Sequence, residues 1–342
     1  MRPSAARVLA PWRRRLRPIA AVFAGLVPLL VITGCNPFSS LSSNSTGQVI
    51  RVAAVPGIEN ANLFLAAQGG YFSRAGVTVK IERFHTISSE IKALTLGQVD
   101  VIAADYGDMF YAEVQSRNPI FQILADGYDA ASGVTEILTL PGSHITDPSG
   151  LSGLNIPVPD SEQVHAPLGD PTTLAVASAV SVLQSDGVNL AAVNWTPMSQ
   201  PRELSELIHG QAKAVLLSGI NVYLAQQQGA VELIDASSGP TSGLPLDGFF
   251  ATRGWLAEAN HSAAAKAFQQ GLYAADAAAE MPGPIQGVLP KWIDISKQEA
   301  DLVTTGTYPL STITASLERT AALLWNEGTT ASEPSVASMV KV

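Results

Sequence analysis

Cysteine is almost missing from this chain: its 342 residues include one, Cys35. A lone thiol excludes an internal disulfide framework and any site built from several cysteines. Histidine is sparse and scattered. His85, His144, His165, His209 and His261 stand far apart, with no pair at helical ligand spacing, so no metal and no cofactor is expected. The motifs of nucleotide and acyl-transfer chemistry are also missing: no G-x-S-x-G elbow, no G-x-x-x-x-G-K-[ST] loop and no G-x-G-x-x-G after a strand. Scattered acids such as Asp100, Asp105 and Asp108 make no recognisable acid–base pair, so no catalytic residue is assigned. A long membrane span is lacking too. The apolar run at 19–34, "IAAVFAGLVPLLVITG", falls short of the ~20 residues a bilayer needs and contains Pro28.

What that run does have is a basic front. Arg2, Arg7, Arg13, Arg14, Arg15 and Arg17 precede it, the form of an export signal, and "RRRLR" leaves Sec and twin-arginine export both open. The run ends "VITGC", which resembles the bacterial lipoprotein processing site. That resemblance implies residues 1–35 as a signal peptide and an acylated (palmitate-bearing) Cys35 as the first mature residue. Residues 36–48, rich in Ser and Asn, suit a flexible tether. Without the six signal arginines, 14 basic residues face 29 acidic ones, a net charge of −15. Such a domain is a poor partner for nucleic acid or anionic headgroups, leaving membrane contact to the lipid.

The remainder writes one unit twice. "LTLGQVDVIAADYGDMFYAEVQ" and "LIHGQAKAVLLSGINVYLAQQQ" both give a helix end, a glycine stop, an apolar strand and a new helix. Before the first copy, "QVIRVAAVP" and "VTVKIERF" read as strands. A helix is expected over 62–70, and another after Ser88 or Ser89 as N-cap. Before the second copy, "LSGLNIPVP" and "VNWTPMS" read as strands. Between them a helix is expected, with Asp170 as N-cap, Pro171 at the first position and Gly187 as its stop. Alternating strands and helices imply α/β lobes with parallel pairing. Two strand-like passages, 133–143 and 244–256, cross between the lobes. Alanine-rich helices follow, and Ser296 with Glu299 forms a capping-box pattern.

In order and spacing these segments, with "DGFFATRGWLAEANHSAAAKAF", are similar to the solute-binding lipoproteins of bacterial ABC importers. The likeness spans about 49–326 and is greatest to the group binding nitrate, alkanesulfonates, taurine and thiamine-precursor pyrimidines. It implies a type II periplasmic-binding-protein-like fold: two α/β lobes joined by two hinge crossings. The expected partition is lobe 1 at 49–138, lobe 2 at 139–247, a return to lobe 1 with C-terminal helices at 248–327, and a disordered tail at 328–342. It also implies a monomer on the outer face of the cell membrane, serving permease and ATPase subunits. The alternatives are a sensor without a transporter, or an enzyme on the same scaffold. The chain departs from the group at Lys213, where an acid is common.

Ligands of open α/β sheets sit beyond the strands' carboxyl ends. That rule selects Gly57 and Asn62 after the first strand, then Thr86, Ser88 and Ser89, then Asp105, Tyr106 and Asp108. In lobe 2 it selects Asp160, Ser161, Thr172 and Thr173, with Ser218 and Asn221 as positional twins of Asp105 and Asp108. Phe249 is chosen at the return crossing, beside Asp247, and His165 is an outlying candidate. Phe84, Tyr106, Tyr128 and Phe249 suit an organic, heteroaromatic solute. The expected solute is small and organic, sulfonate-, taurine- or thiamine-precursor-like. Because no arginine stands clearly in a ligand loop, an organic body ranks above nitrate or sulfonate.

Overall fold

The structure, a computed structural model, describes residues 47–116, 118–160 and 173–340. The first apolar run, Val49–Ala54, forms β1, and Thr78–Arg83 forms β2 parallel to it. Val101–Asp105, an unbroken apolar run ending in an acid, pairs with the other side of β1 as β3. Phe121–Asp129 makes β4. Thr135–Thr139 is β5, and Asn155–Pro159 (β6) pairs in parallel with Asn194–Met198 (β7). Ala214–Ser218 (β8) and Val231–Asp235 (β9) flank β5 antiparallel, and Pro245–Thr252 is β10. Lobe 1 therefore carries a five-stranded sheet, β2-β1-β3-β10-β4, with β10 antiparallel to both neighbours. Lobe 2 carries β8-β5-β9 and β6-β7, with β6 running alongside β8.

The chain passes between the sheets twice, after β4 and before β10. Sheet membership changes slightly earlier than 138 and 247: β5 joins the lobe 2 sheet from Thr135, and β10 joins the lobe 1 sheet from Pro245. β4 has no counterpart in the expected strands. It is buried from Phe121 to Tyr128 and includes Gln122, Asp126 and Gly127, so it shows neither alternation nor a clean apolar run.

The helix of His261–Ala279 packs its alanine face on the helices Ala61–Gln68 and Tyr71–Arg74, where Phe72 stacks on Phe268 with centroids 5.0 Å apart. Thr314–Asn326 touches both lobes, against the helices Tyr106–Gln115 and Leu174–Ser185. The expectation of a disordered tail from 328 is corrected. Val336 and Met339, on a helical turn at Val336–Met339, are buried in lobe 1 with Phe110, Ile123 and Leu324, which gives this segment an apolar anchor.

Candidate functional site

The loop after β1 is built as a rigid shelf. Asn60 donates to Val55 O at 2.7 Å and accepts from Gly57 N at 3.3 Å. The indole of Trp292 donates to Gly57 O at 3.0 Å and to Asn60 Oδ1 at 2.8 Å. Tyr308 donates to Ile58 O at 2.7 Å. The shelf projects Glu59 so that its carboxyl lies over Gly57 and reaches Gly219 beyond β8. A Cβ on Gly219 would lie 2.6 Å from Glu59 Oε1. One side chain thus spans from lobe 1 to lobe 2.

Between the lobes lies a cavity of about 540 Å³, within the usual range for small-molecule sites. Lobe 1 contributes Glu59, Asp105, Asp108, Tyr128 and Asp247, and lobe 2 contributes Ser178, Gln200, Ser218 and Asn221. Asp105 ends β3, and its Oδ1 accepts from Gly107 N at 2.6 Å and Asp108 N at 3.1 Å, capping the helix Tyr106–Gln115. Burial pushes the Asp105 carboxyl up to about 8, with further upward pressure from Asp108 and Glu59. Asp247, opposite Asp105 in the register, is held well above the usual carboxylate range by burial, then by Asp105 and Glu59. Burial raises Glu59 as well. The only lysine, arginine or histidine among the described lining residues is His85.

Nine of the selected residues line this cavity: Gly57, Thr86, Ser88, Asp105, Asp108, Asp160, Thr173, Ser218 and Asn221. Thr86 and Thr173 also cap helices, accepting from Ser89 N and Val176 N at 3.2 Å each. Ser218 lies 3.3 Å from the Thr135 hydroxyl, and Asn221 donates to Gln200 Oε1 at 2.6 Å. Four others do not line it. Asn62 is fully buried and donates to Asp276 Oδ1 at 2.9 Å and Gly127 O at 3.2 Å, because its helix begins at Ala61 and turns it inward. Tyr106 is fully buried, donating to Asp126 Oδ1 at 3.1 Å with its ring edge-on to Phe250. Phe249 packs edge-on against Phe268 in the lobe 1 core. Ser89 donates back to Thr86 O at 2.7 Å, serving its own helix turn. Phe84 is also off the cavity, packing in the lobe 1 core. Ser161, His165, Asp170, Pro171, Thr172 and Cys35 lie outside the described residues; the helix expected from Asp170 is described from Leu174.

The sequence reading missed Glu59, Gln200 and Ser178. A single acid just before a helix start reads as a favourable partner for the helix dipole, which hides Glu59. No sequence pattern marks a mid-helix serine such as Ser178.

The two facing α/β lobes with a solute-sized cleft define the type II periplasmic-binding-protein fold. The chain belongs to the family described as NMT1/THI5 like, matching it over residues 58–282. No curated protein matches it by sequence. Among solved structures it is similar to the ligand-binding component of an ABC-type import system from Staphylococcus aureus with zinc bound. There the TM-score is 0.66 at 13% identity, covering 86% of this chain and 96% of that one. It is also similar to the alkanesulfonate-binding protein SsuA from Xanthomonas axonopodis pv. citri bound to MOPS, with TM-score 0.63, 15% identity and coverage of 86% and 98%. The desulfurization enzyme DSZB shares the fold, with TM-score 0.65, 13% identity and coverage of 86% and 96%.

Proposed function

We propose that this chain is the extracytoplasmic solute-binding lipoprotein of an ABC importer, holding a small organic solute between its lobes and delivering it to a permease. The observation that carries the reading is the cavity itself, whose polar lining is divided between two lobes joined by two chain passes. A solute touching both rims binds the closed form better than the open one, and that difference drives closure. The similarity to an ABC-type import component in S. aureus and to an alkanesulfonate-binding protein in Xanthomonas supports the importer assignment. Cys35 after "VITG" supports a lipid anchor on the outer face of the membrane.

The test is thermal denaturation of the purified protein with a solute library, run alongside Ser218→Ala/Asn221→Ala. Stabilisation by at least one solute, lost in the double variant, is expected. Stabilisation unchanged in the variant refutes the site. Unaltered solute recovered after incubation is expected of a receptor, whereas product would point to an enzyme on this scaffold. Palmitate labelling that disappears in Cys35→Ala tests the anchor.

A further inference from the structure

Resting on the solute-receptor reading, we propose that the cleft selects an organic cation: a protonated amine or amidinium on a compact apolar body. Three carboxyls from three separate segments of lobe 1 converge on one cavity: Glu59 from the shelf, Asp105 from the β3 end, and Asp247 from β10. Asp108 lines the same cavity, and Asp160, exposed, stands on the opposite rim. Against these, the described lining offers no lysine or arginine, only His85, and residues 161–172 contain neither lysine nor arginine in sequence. Carboxyls enclosed without a counter-charge are costly unless a cation joins them or they take up protons.

Helix N-termini are the other common way to hold an anion, and three of those at this cleft are already occupied by side chains. Asp105 occupies the first amides of Tyr106–Gln115, Thr86 those of Ile87–Thr95 and Thr173 those of Leu174–Ser185. Ala61–Gln68, Gln200–Ile208 and Ile220–Gln227 have no side-chain cap, and at the last of these the Glu59 carboxyl faces Gly219. An independent observation marks a ligand position. Ser178, 4% exposed and lining the cavity from lobe 2, has a hydroxyl with no hydrogen-bond partner among the described residues. A buried orphan hydroxyl facing a lobe-spanning space is suited to accept an N–H from a bound guest. Ile58, Ala103, Tyr128, Val134 and Leu246 supply apolar wall for the body of that guest. Among the described residues no three His, Cys, Asp or Glu groups are arranged to hold a metal ion, which favours an organic cation over a divalent one.

Charge recognition here is linked to protons. Asp105 titrates near 8 in the free protein, and Glu59 and Asp247 are raised by burial, with Asp108, Asp160, Glu90, His85 and Tyr128 around them. A permanent cation lowers these carboxyl pKa values, so its binding releases protons and tightens as pH rises through that range.

The experiment is calorimetry on the purified protein at pH 6 and pH 8 with 2-phenylethylammonium, benzamidinium, benzenesulfonate and phenylacetamide. The variants are Asp247→Asn and Glu59→Gln, each checked for folding by circular dichroism. Expected is a cation that binds at least tenfold tighter than the sulfonate or amide, tighter at pH 8 than at pH 6. At least one correctly folded variant should weaken it tenfold. The inference falls if benzenesulfonate or phenylacetamide matches the cations, if no cation binds, if Mg²⁺ or Zn²⁺ binds as well as they do, or if both variants bind normally. A sulfonate or amide that binds and is weakened by Ser218→Ala/Asn221→Ala would overturn the cation while keeping the receptor. No binding by any solute in the wider library would overturn both.

Discussion

The two rims of the cleft come from the same written unit and end differently. β3 closes with Asp105 and β8 with Ser218. Asp105 turns back to cap its own helix, while Ser218 is followed by Gly219 at φ 57°, ψ −131°, a conformation that strongly favours glycine. Lobe 1 therefore presents a cluster of carboxyls, and lobe 2, apart from Asp160, presents hydroxyl and amide groups together with a bare backbone that receives Glu59. A duplicated scaffold fixes where a rim lies, and the residue after each strand decides what that rim offers. The place where this asymmetry is easiest to break is Gly219. Gly219→Val adds both backbone strain and a clash with Glu59, and is expected to weaken solute binding by about 100-fold, near 2.8 kcal/mol. Gly210→Val is the control. Its φ is also positive, at 68°, but nothing lies within 4 Å of an added Cβ, so it carries strain without the clash. Equal losses of affinity in the two variants would remove Glu59 from the account.

A second and somewhat smaller effect is the pH dependence of the unliganded protein. Burial raises Glu90 to about 9, Asp105 to about 8 and Asp129 to about 7 on the lobe 1 side, and Glu136 to about 7 and Glu203 to about 9 on the lobe 2 side. A carboxyl whose folded pKa lies above its unfolded value favours the folded state at low pH. Between the two values the unfolded chain gives up its proton first, so stability is lost as pH rises. Thermal denaturation should show the melting temperature falling steadily between about pH 5 and pH 9. A melting temperature that rises over this interval would mean the carboxyls of both lobes are solvated or paired. With a bound organic cation the fall should be shallower, because the guest supplies the missing charge.

Much of the framework was legible because continuous apolar runs encode it. Val101–Asp105 and Ala214–Ser218 stand out between glycine stops, and the Ser296/Glu299 capping box is seen with Ser296 N donating to Glu299 at 2.6 Å. β4 was not legible, since Asp126 enters the core by accepting from Tyr106 and by its backbone N–H donating to Thr312 Oγ1 at 3.0 Å. Those partners come from elsewhere in the chain. The same holds for the site. Residues immediately after strands were placed at the rim, but Asn62, one helical position too far in, was aimed at Asp276, a partner 214 residues away. Local pattern locates a strand end well, and it says little about which way the next side chain turns.

Behind the acidic rim of lobe 1 lies a further layer of buried carboxyls that the cleft does not use, and breaking it separates fold from site. Asn62→Ala removes a buried donor to Asp276, whose other oxygen already lacks a partner among the described residues. A loss of about 2 kcal/mol in denaturant unfolding is expected, with solute affinity per folded molecule unchanged. A solute-specific loss at constant stability would restore Asn62 to the site.

The smallest effect sharpens the comparison most. Tyr106 directly follows Asp105 in sequence, yet its ring packs between Phe110 and Phe250 and its hydroxyl bonds Asp126 at 3.1 Å. Tyr106→Phe keeps the ring and its packing and removes only that bond. Burial and the nearby Asp129 hold Asp126 well above the usual carboxylate range, and its Oδ1 keeps the Gly127 N–H at 3.1 Å when the tyrosine hydroxyl is gone. The cost should be about 1 kcal/mol of stability, unlike the larger penalty of stranding an ion, and solute binding should not change. If instead Tyr106→Phe weakens solute binding tenfold while unfolding is unaltered, the carboxyl layer behind β3 communicates with the cleft, and the acidic rim cannot be treated as a surface laid over an independent core.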